Sequence, residues 1–439
     1  MNLKIIVFLV CIIALVVGII YSRKRIEIKL GLLYTTSGGE MASDELNCYN
    51  MAKKTIEHFN NLQSKFKLVV SDFNPQSNTE LYQQGAEQLL SEEDMTMVIG
   101  CWRSIDRKAV TPIFEKYNNL LNYCVQYEGQ ECSANTLYFG ACPNQQVNVG
   151  IEYAIKNLSE SVILIGSDYN FPRIANGIMK NYITNYNASL LLEEYIPLGS
   201  NPEVLDSICE NIVNISLNSN GKCVILNTIN GDLNYHFFKI LNSKFKSNDK
   251  YKYSIRSDVL PIVSFSVTEE QLQNIPVEFV YGDYHVWNYS QKDISYDLYL
   301  KSRMESNNKI LNKMIDQFKS YTEIIGDPSY HSYLAVLFFC EFLLNSNLKN
   351  YDSKIIRETY RSRKNVDVLT STGYLQINKN NHLDNVVFIL KINIEGHYNT
   401  VFKSSSRVSP NPWYDRFSDT NYECSVEDFR GNKYSTLSD

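Results

Sequence analysis

The chain has 439 residues, enough for two domains of ordinary size. A composition of 44% hydrophobic and 21% charged residues describes a globular protein and excludes a disordered one. The formal net charge of −6 leaves no basic footprint, which argues against nucleic acid as a partner.

Ile5 to Tyr21 is almost wholly apolar, and Arg23-Lys24-Arg25 follows directly. The run sits at the lower edge of a membrane span and above the usual signal-peptide core, and no small-residue cleavage site follows it. The expectation is a transmembrane signal anchor over residues 1–25. A cleaved signal peptide and lipidation at Cys11 are the alternatives, the latter opposed by the bulk of Val10. The basic residues after the run, against Lys4 alone before it, would by charge place the main domain on the cytoplasmic side.

Strands and helices then alternate. Lys29 to Tyr34 reads as a strand, Asp44 to Phe59 as a helix, Phe66 to Ser71 as a strand and Asn78 to Leu90 as a helix. Met95 to Gly100 is an apolar strand. The helix after it carries apolar residues at Ala109, Val110, Ile113, Phe114 and Tyr117, with Ser104 or Asp106 placed to cap its N-terminus. Leu120 to Tyr123 is a fourth strand. This rhythm implies a parallel, doubly wound sheet, in which ligands dock at the carboxyl ends of strands.

A second series begins near Pro143. Gln146 to Lys156 and Arg173 to Tyr186 read as helices. Ser161 to Gly166, Leu190 to Tyr195, Lys222 to Asn227, Pro261 to Phe265 and Val277 to Tyr281 read as strands. Helices are expected between about Ser295 and Leu348, and strands around Tyr374 and over Val386 to Ile394. From Ser404 the chain turns Ser-, Pro- and Asp-rich, as a surface strap or tail would.

The chemistry-bearing patterns are mostly absent. No Gly-rich phosphate loop, zinc spacing or G-x-S-x-G elbow occurs, and the six histidines form no catalytic arrangement. The expectation is a non-enzyme with no metal and no cofactor. Cys101, Cys124 and Cys223 read as small buried thiols, and Cys132 with Cys142 as the leading disulfide candidates.

One colinear set of segments carries more. It comprises Gly100-Cys-Trp-Arg-Ser104, Tyr123-Cys-Val-Gln-Tyr-Glu-Gly129, Pro143-Asn-Gln-Gln146 and Gly166-Ser-Asp-Tyr-Asn-Phe-Pro-Arg173. Asn227-Thr-Ile-Asn-Gly-Asp232, Ser264-Phe-Ser-Val267, Trp287-Asn-Tyr289, Asp327-Pro328 and Asn381-His382 continue it. From roughly Ile28 to Phe402 the chain resembles the extracytoplasmic binding proteins for urea and short-chain amides that serve ABC transporters, a family that includes amide-sensing regulators.

That resemblance implies an α/β fold of two doubly wound parallel-sheet lobes joined by three crossovers, near Pro143, Trp287 and Val366. Residues 26–143 with 288–365 would form the first lobe, 144–287 with 366–403 the second, and 404–439 the tail. It also implies an extracytoplasmic binding domain, here single-pass and membrane-anchored, with a transporter permease or a signalling protein as partner.

Urea and small amides are neutral, planar molecules that both donate and accept hydrogen bonds, so their site needs hydroxyls, backbone groups and aromatic walls. By the resemblance, Trp102 and Ser104 match the aromatic and serine after the third strand, and Tyr123 and Val125 line the pocket. Tyr169 closes over ligand from the second lobe, with Asp232, Ser266 and Trp287 as further contacts. Trp at 102, with the Asn-Gly-Asp and Trp-Asn-Tyr segments, points to urea over larger amides. Asp106, Arg107 and Lys108 read as a solvated helix turn with a salt bridge inside the lobe, and Glu128 as either a structural carboxylate or a contact. The alternatives are a sensory ectodomain of the same fold and a ligand-free interaction protein.

Overall fold

The computed structural model describes residues 25–131, 133–219, 222–293 and 308–413. The expected anchor lies outside them, as does Cys132. Among the described residues no helix is long and apolar enough to cross a membrane.

In the first lobe, β1 (Ile26–Leu33), β2 (Phe66–Phe73), β3 (Met95–Gly100), β4 (Leu121–Tyr123) and β5 (Thr136–Tyr138) form a wholly parallel sheet in the order β2-β1-β3-β4-β5. Helices α1 (Ala42–Leu62), α2 (Thr79–Ser91) and α3 (Ser104–Lys116) make the connections. A parallel strand covered on both faces reads as an unbroken apolar run, and β3 is buried at every position. Asn78 caps α2 by accepting the Leu81 N–H at 3.1 Å.

The second lobe repeats the plan. Helices α4 (Val147–Asn157), α5 (Asn170–Asn185), α6 (Val204–Asn218) and α7 (Leu233–Ser247) alternate with β6 (Ser161–Ser167), β7 (Ser189–Ile196), β8 (Val224–Thr228), β9 (Ile262–Ser264) and β10 (Tyr284–Trp287). These strands are parallel in the order β7-β6-β8-β9-β10. The strand expected at Val277 to Tyr281 is instead a single helical turn, Val277–Val280, and the strand is the next segment. A short apolar run does not distinguish a strand from a buried helical turn. Pro276 starts the turn, and Gly282, at φ +85°, ends the segment where a Cβ would lie 2.1 Å from Ser257 Oγ.

The chain then returns to the first lobe through α8 (Lys309–Lys319), α9 (Asp327–Asn345) and α10 (Ser353–Ser362). The hairpin β11 (Val368–Thr370) and β12 (Gly373–Leu375) packs Val368, Leu369 and Leu375 into the first lobe's core, not the second's. Ile377 and Leu383 join that core too, so the chain leaves the first lobe well after Val366. β13 (Phe388–Ile392) and β14 (Tyr398–Lys403) complete the second sheet as antiparallel strands. The second sheet is therefore mixed. A strand arriving from the hinge enters beside the end where β10 leaves, pairing Phe388 with Trp287, and must run against it.

Asn288 ties the three crossings together. Its amide donates to Gln145 O at 3.0 Å and to Val386 O at 3.1 Å, and its backbone N–H donates to Asp327 at 2.7 Å. His331, one helical turn beyond Asp327, lies 3.1 Å from Asn385 Oδ1 on the third crossing. Residues 404–413 strap this junction: Val408 pairs with Asn385, and Pro412 O accepts the Gln130 N–H at 2.9 Å.

Candidate ligand-binding site

The first lobe's winding reverses between β1 and β3, and the crevice beyond their carboxyl ends is where such a sheet offers a site. Gly100 fits there because a Cβ would lie 2.2 Å from Leu33 O. Cys101 follows with φ +66°, a left-handed conformation rare outside glycine and common at functional turns. This turn delivers Trp102, Arg103 and Ser104 to the start of α3.

Ser104 does not cap its helix, nor does Asp106. The Ser104 hydroxyl donates to Glu128 Oε2 at 2.5 Å, while Asp106 accepts from Thr79 at 2.7 Å and from Arg103 Nε at 2.8 Å. Glu128 is fully buried and also meets Arg107 at 3.0 Å and Lys108 at 3.4 Å. Arg107 is not solvated: its exposure is 0%. Its guanidinium lies 4.8 Å from the Tyr123 ring and 4.7 Å from the Tyr127 ring, and it holds Glu131 at 3.0 Å. Burial works against its charge, yet Glu131 and Glu128 keep it firmly protonated. Burial likewise pushes the Glu131 carboxyl up, and Arg107 outweighs it to hold that group below the usual range.

Tyr123 is buried at the end of β4 and donates to Trp102 O at 2.5 Å. Val125 follows, its carbonyl packed so tightly that a Cβ on Gly140 would lie 2.1 Å away. From the second lobe, the Tyr169 phenol faces Glu128, Arg103, Asp106 and Glu40, and burial followed by Glu128 raises its pKa. The structure thus places Ser104 and Tyr169 beside Glu128, while Trp102, Tyr123 and Val125 are buried in the first lobe's core, Tyr123 bonded to the Trp102 carbonyl.

The other three expected residues are placed differently. Asp232 is exposed at the start of α7 and faces Asp44 of the first lobe, with no side-chain bond to its own helix. Ser266 is buried and donates to Ile229 O. Trp287 packs in the second lobe's core, its indole N–H committed to Val267 O at 2.9 Å.

Four residues of the crevice were not foreseen as contacts. Gln126 donates across the lobes to Phe265 O at 3.3 Å, and Gln146 donates to the same carbonyl at 3.0 Å. Arg107 and Tyr127 complete the aromatic and charged wall. The spacing of Ser104, Arg107, Val110 and Phe114 carried the signal for Arg107, since these share one helical face and all are buried. Two buried polar atoms here lack partners in the protein: Arg107 Nη1, a donor, and Gln126 Oε1, an acceptor. Cys142 is a free buried thiol directed at Asn144 Oδ1, 3.0 Å away.

A two-lobed α/β chain with paired switch-point crevices is the architecture of a hinged binding protein. The family model for the periplasmic binding protein domain matches residues 28–419, and the chain belongs to that family. Among solved structures, it is similar to an amino acid ABC transporter substrate-binding protein from Pseudomonas fluorescens, with 13% identity, TM-score 0.68, 88% of this chain and 97% of that one covered. It is also similar to a Rhodopseudomonas palustris solute-binding protein in complex with p-hydroxybenzoic acid, with 16% identity, TM-score 0.68 and coverage of 88% and 98%. A branched-chain amino acid transporter substrate-binding protein from Streptococcus pneumoniae, in complex with isoleucine, follows with 14% identity, TM-score 0.62 and coverage of 87% and 100%.

Proposed function

We propose that this protein captures a small uncharged molecule, urea or a short-chain amide, between its lobes and serves an ABC-type uptake system from the extracytoplasmic side, tethered by its N-terminal segment. The observation that carries the reading is the Ser104–Glu128–Arg107 arrangement. A helix N-terminus attracts anions. Here the chain's own buried Glu128 occupies that position, 2.5 Å from Ser104 Oγ, and its charge is already met by Arg107. A ligand carboxylate would enter beside the carboxylates of Glu128 and Asp106, and the two nearest arginines are already paired. A neutral amide fits the remaining chemistry, one buried donor on Arg107 and one buried acceptor on Gln126. Tyr169, reaching from the other lobe, would bridge ligand to both halves and favour the closed form.

The test is a thermal-shift series with urea, formamide, acetamide, isoleucine and 4-hydroxybenzoate. Stabilisation grows as RT ln(1 + [L]/Kd), so a neutral binder shifts the midpoint with the first three and not with the acids. Shifts with the acids alone would overturn the proposal. No shift with any would favour the ligand-free interaction protein. Tyr169→Ala should abolish the shift while leaving the unliganded midpoint close to wild type.

A further inference from the structure

The second lobe touches the first at another place, away from the crevice. The turn Thr268–Gln271 begins with a capping box and lies between the N-termini of α1 and α9. Gln271 Nε2 donates to Asp44 Oδ2 of α1 at 2.9 Å. Glu270 lies against the start of α9, its Oε2 2.4 Å from where a Cβ on Gly326 would be. Gly326 offers α9 no side-chain cap, and Glu270 faces its N–H and the Ser329 hydroxyl instead. A helix in one lobe is thus capped by a carboxylate of the other, a contact that exists only when the lobes are together.

We propose that this contact is a proton-gated latch: the lobes close by docking Glu270 and Gln271 onto α9 and α1, and closure takes up a proton at Asp44. The groups facing Asp44 are Glu45 on its own helix, Glu270 on the turn and Asp232 on the loop before α7. Those facing Glu270 include Asp327, Ser329 and the Gly326 N–H on the α9 side, and Thr268 on its own turn. Every ionisable group named around the two is acidic. Of the adjacent cations, Arg103 is engaged with Glu40 and Asp106 away from the turn, and His331 meets Asp327 on the α9 side. Glu45 meets the Tyr82 hydroxyl at 2.6 Å and the Thr35 N–H at 2.8 Å.

The sign follows from burial. With the lobes together, burial first, and then Glu270 and Asp232, lift the Asp44 carboxyl to about 8. Opening returns it to water and to the ordinary range near 4. A carboxyl raised in the closed form favours closure below that ordinary range and loses the advantage as pH climbs towards 8. One linked proton changes the closed-to-open ratio about tenfold per pH unit inside this window. The protein therefore holds its closed form in acid and releases it in alkali.

The latch rests on the hinged-lobe reading but not on any ligand, so its test uses none. Spin labels at Lys53→Cys and Lys239→Cys, on exposed faces of α1 and α7, report the lobe separation of the full chain by pulsed dipolar spectroscopy. The expected result is one short distance at about pH 5 and a growing longer population at about pH 9. Asp44→Asn should remain short at both. Gln271→Ala should lengthen the distance at both and keep the pH response. A wild-type distribution unchanged by pH, or an Asp44→Asn response equal to wild type, would overturn the latch. Either result would leave the thermal-shift series to decide the ligand separately.

Discussion

Both lobes wind their parallel strands in the order second, first, third, fourth, fifth, yet they dress their switch points with opposite chemistry. In the first lobe the crevice beyond β3 and β4 is lined by Arg103, Asp106, Arg107 and Glu128, all buried and mutually paired. In the second, the equivalent end carries amides and hydroxyls. Asn227 donates to Asn234 at 2.9 Å, Thr228 to Ile165 O at 3.1 Å, and Ser167 accepts the Asn230 N–H at 3.0 Å. The second lobe does bury an ion pair, Arg256 with Asp283, but at the opposite end of its sheet, where Asp283 receives the Ile262 N–H that starts β9. Buried charge lies at the cleft end of the first lobe only, whereas the charged groups at that end of the second, Asp168 paired with Arg173 and Asp232, are exposed. The proposal of an uncharged ligand rests on this difference between the two sides.

The largest expected effect lies in the first lobe. Arg107→Met would leave Glu131 without its cation and Glu128 with Lys108 alone, and breaking a buried pair costs about 3–5 kcal/mol. Hydrogen exchange should show β3 losing protection by that amount while β8 keeps its own. Equal losses in both lobes would mean that the charged crevice is not local to one of them.

Two buried histidines, one in each lobe, should also respond to pH in opposite directions. Burial lowers the pKa of His285 on β10 to about 4, opposed only by the Val267 carbonyl. An unfolded histidine titrates near 6.5, so β10 should lose stability as pH falls from about 6.5 to about 4, by about 3 kcal/mol in all. On α9, burial works against charging His331, but Asp327 prevails and raises its pKa. Its contribution is complete below about 6.5 and is lost as pH rises through the raised value. Exchange rates corrected for intrinsic chemistry should therefore show β10 weakening in acid and α9 in alkali. His285→Gln should flatten the first trend and leave the second.

A smaller effect tests the neutral side. Asn227→Ala removes the acceptor of the Ile229 N–H, bonded at 2.9 Å, and the donor to Ser264 Oγ at 3.2 Å. Leaving a buried backbone donor unpaired costs about 1–3 kcal/mol, read as a lower denaturant midpoint for β8. A loss as large as that of Arg107→Met would erase the distinction between the crevices.

Much of this plan is legible in the chain itself. The apolar run Met95 to Gly100 ends where the strand ends, because both faces of a parallel strand demand apolar residues. The resemblance marks Ser104, Tyr123 and Tyr169, and Ser104 and Tyr169 do stand beside Glu128, their part in binding being the proposal made above. What was not legible depends on contacts distant in sequence. Arg107 looked solvated because charged residues usually are, and only the rings of Tyr123 and Tyr127 with the two glutamates make its burial tolerable. Trp287 reads as a cleft aromatic, but its indole N–H is taken by Val267 O, a side-chain contact twenty residues away that local pattern does not reveal. The hairpin at Val368 joins the first lobe's core and not the second's, and its three-residue strands are apolar enough for either.

The smallest expected effect guards the comparison. Lys116 meets Glu87 in the first lobe at 2.9 Å, and Lys244 meets Asp206 in the second at 2.7 Å, and both pairs lie in solvent. Water screens such pairs, and holding two long side chains together offsets most of what remains. Lys116→Ala and Lys244→Ala should each leave the denaturant midpoint within the scatter of replicate melts, with any residual difference vanishing in high salt. If either variant unfolded measurably earlier in high salt, surface charge would be shaping lobe stability. The contrast between a charged and a neutral crevice would then no longer account for how the lobes differ.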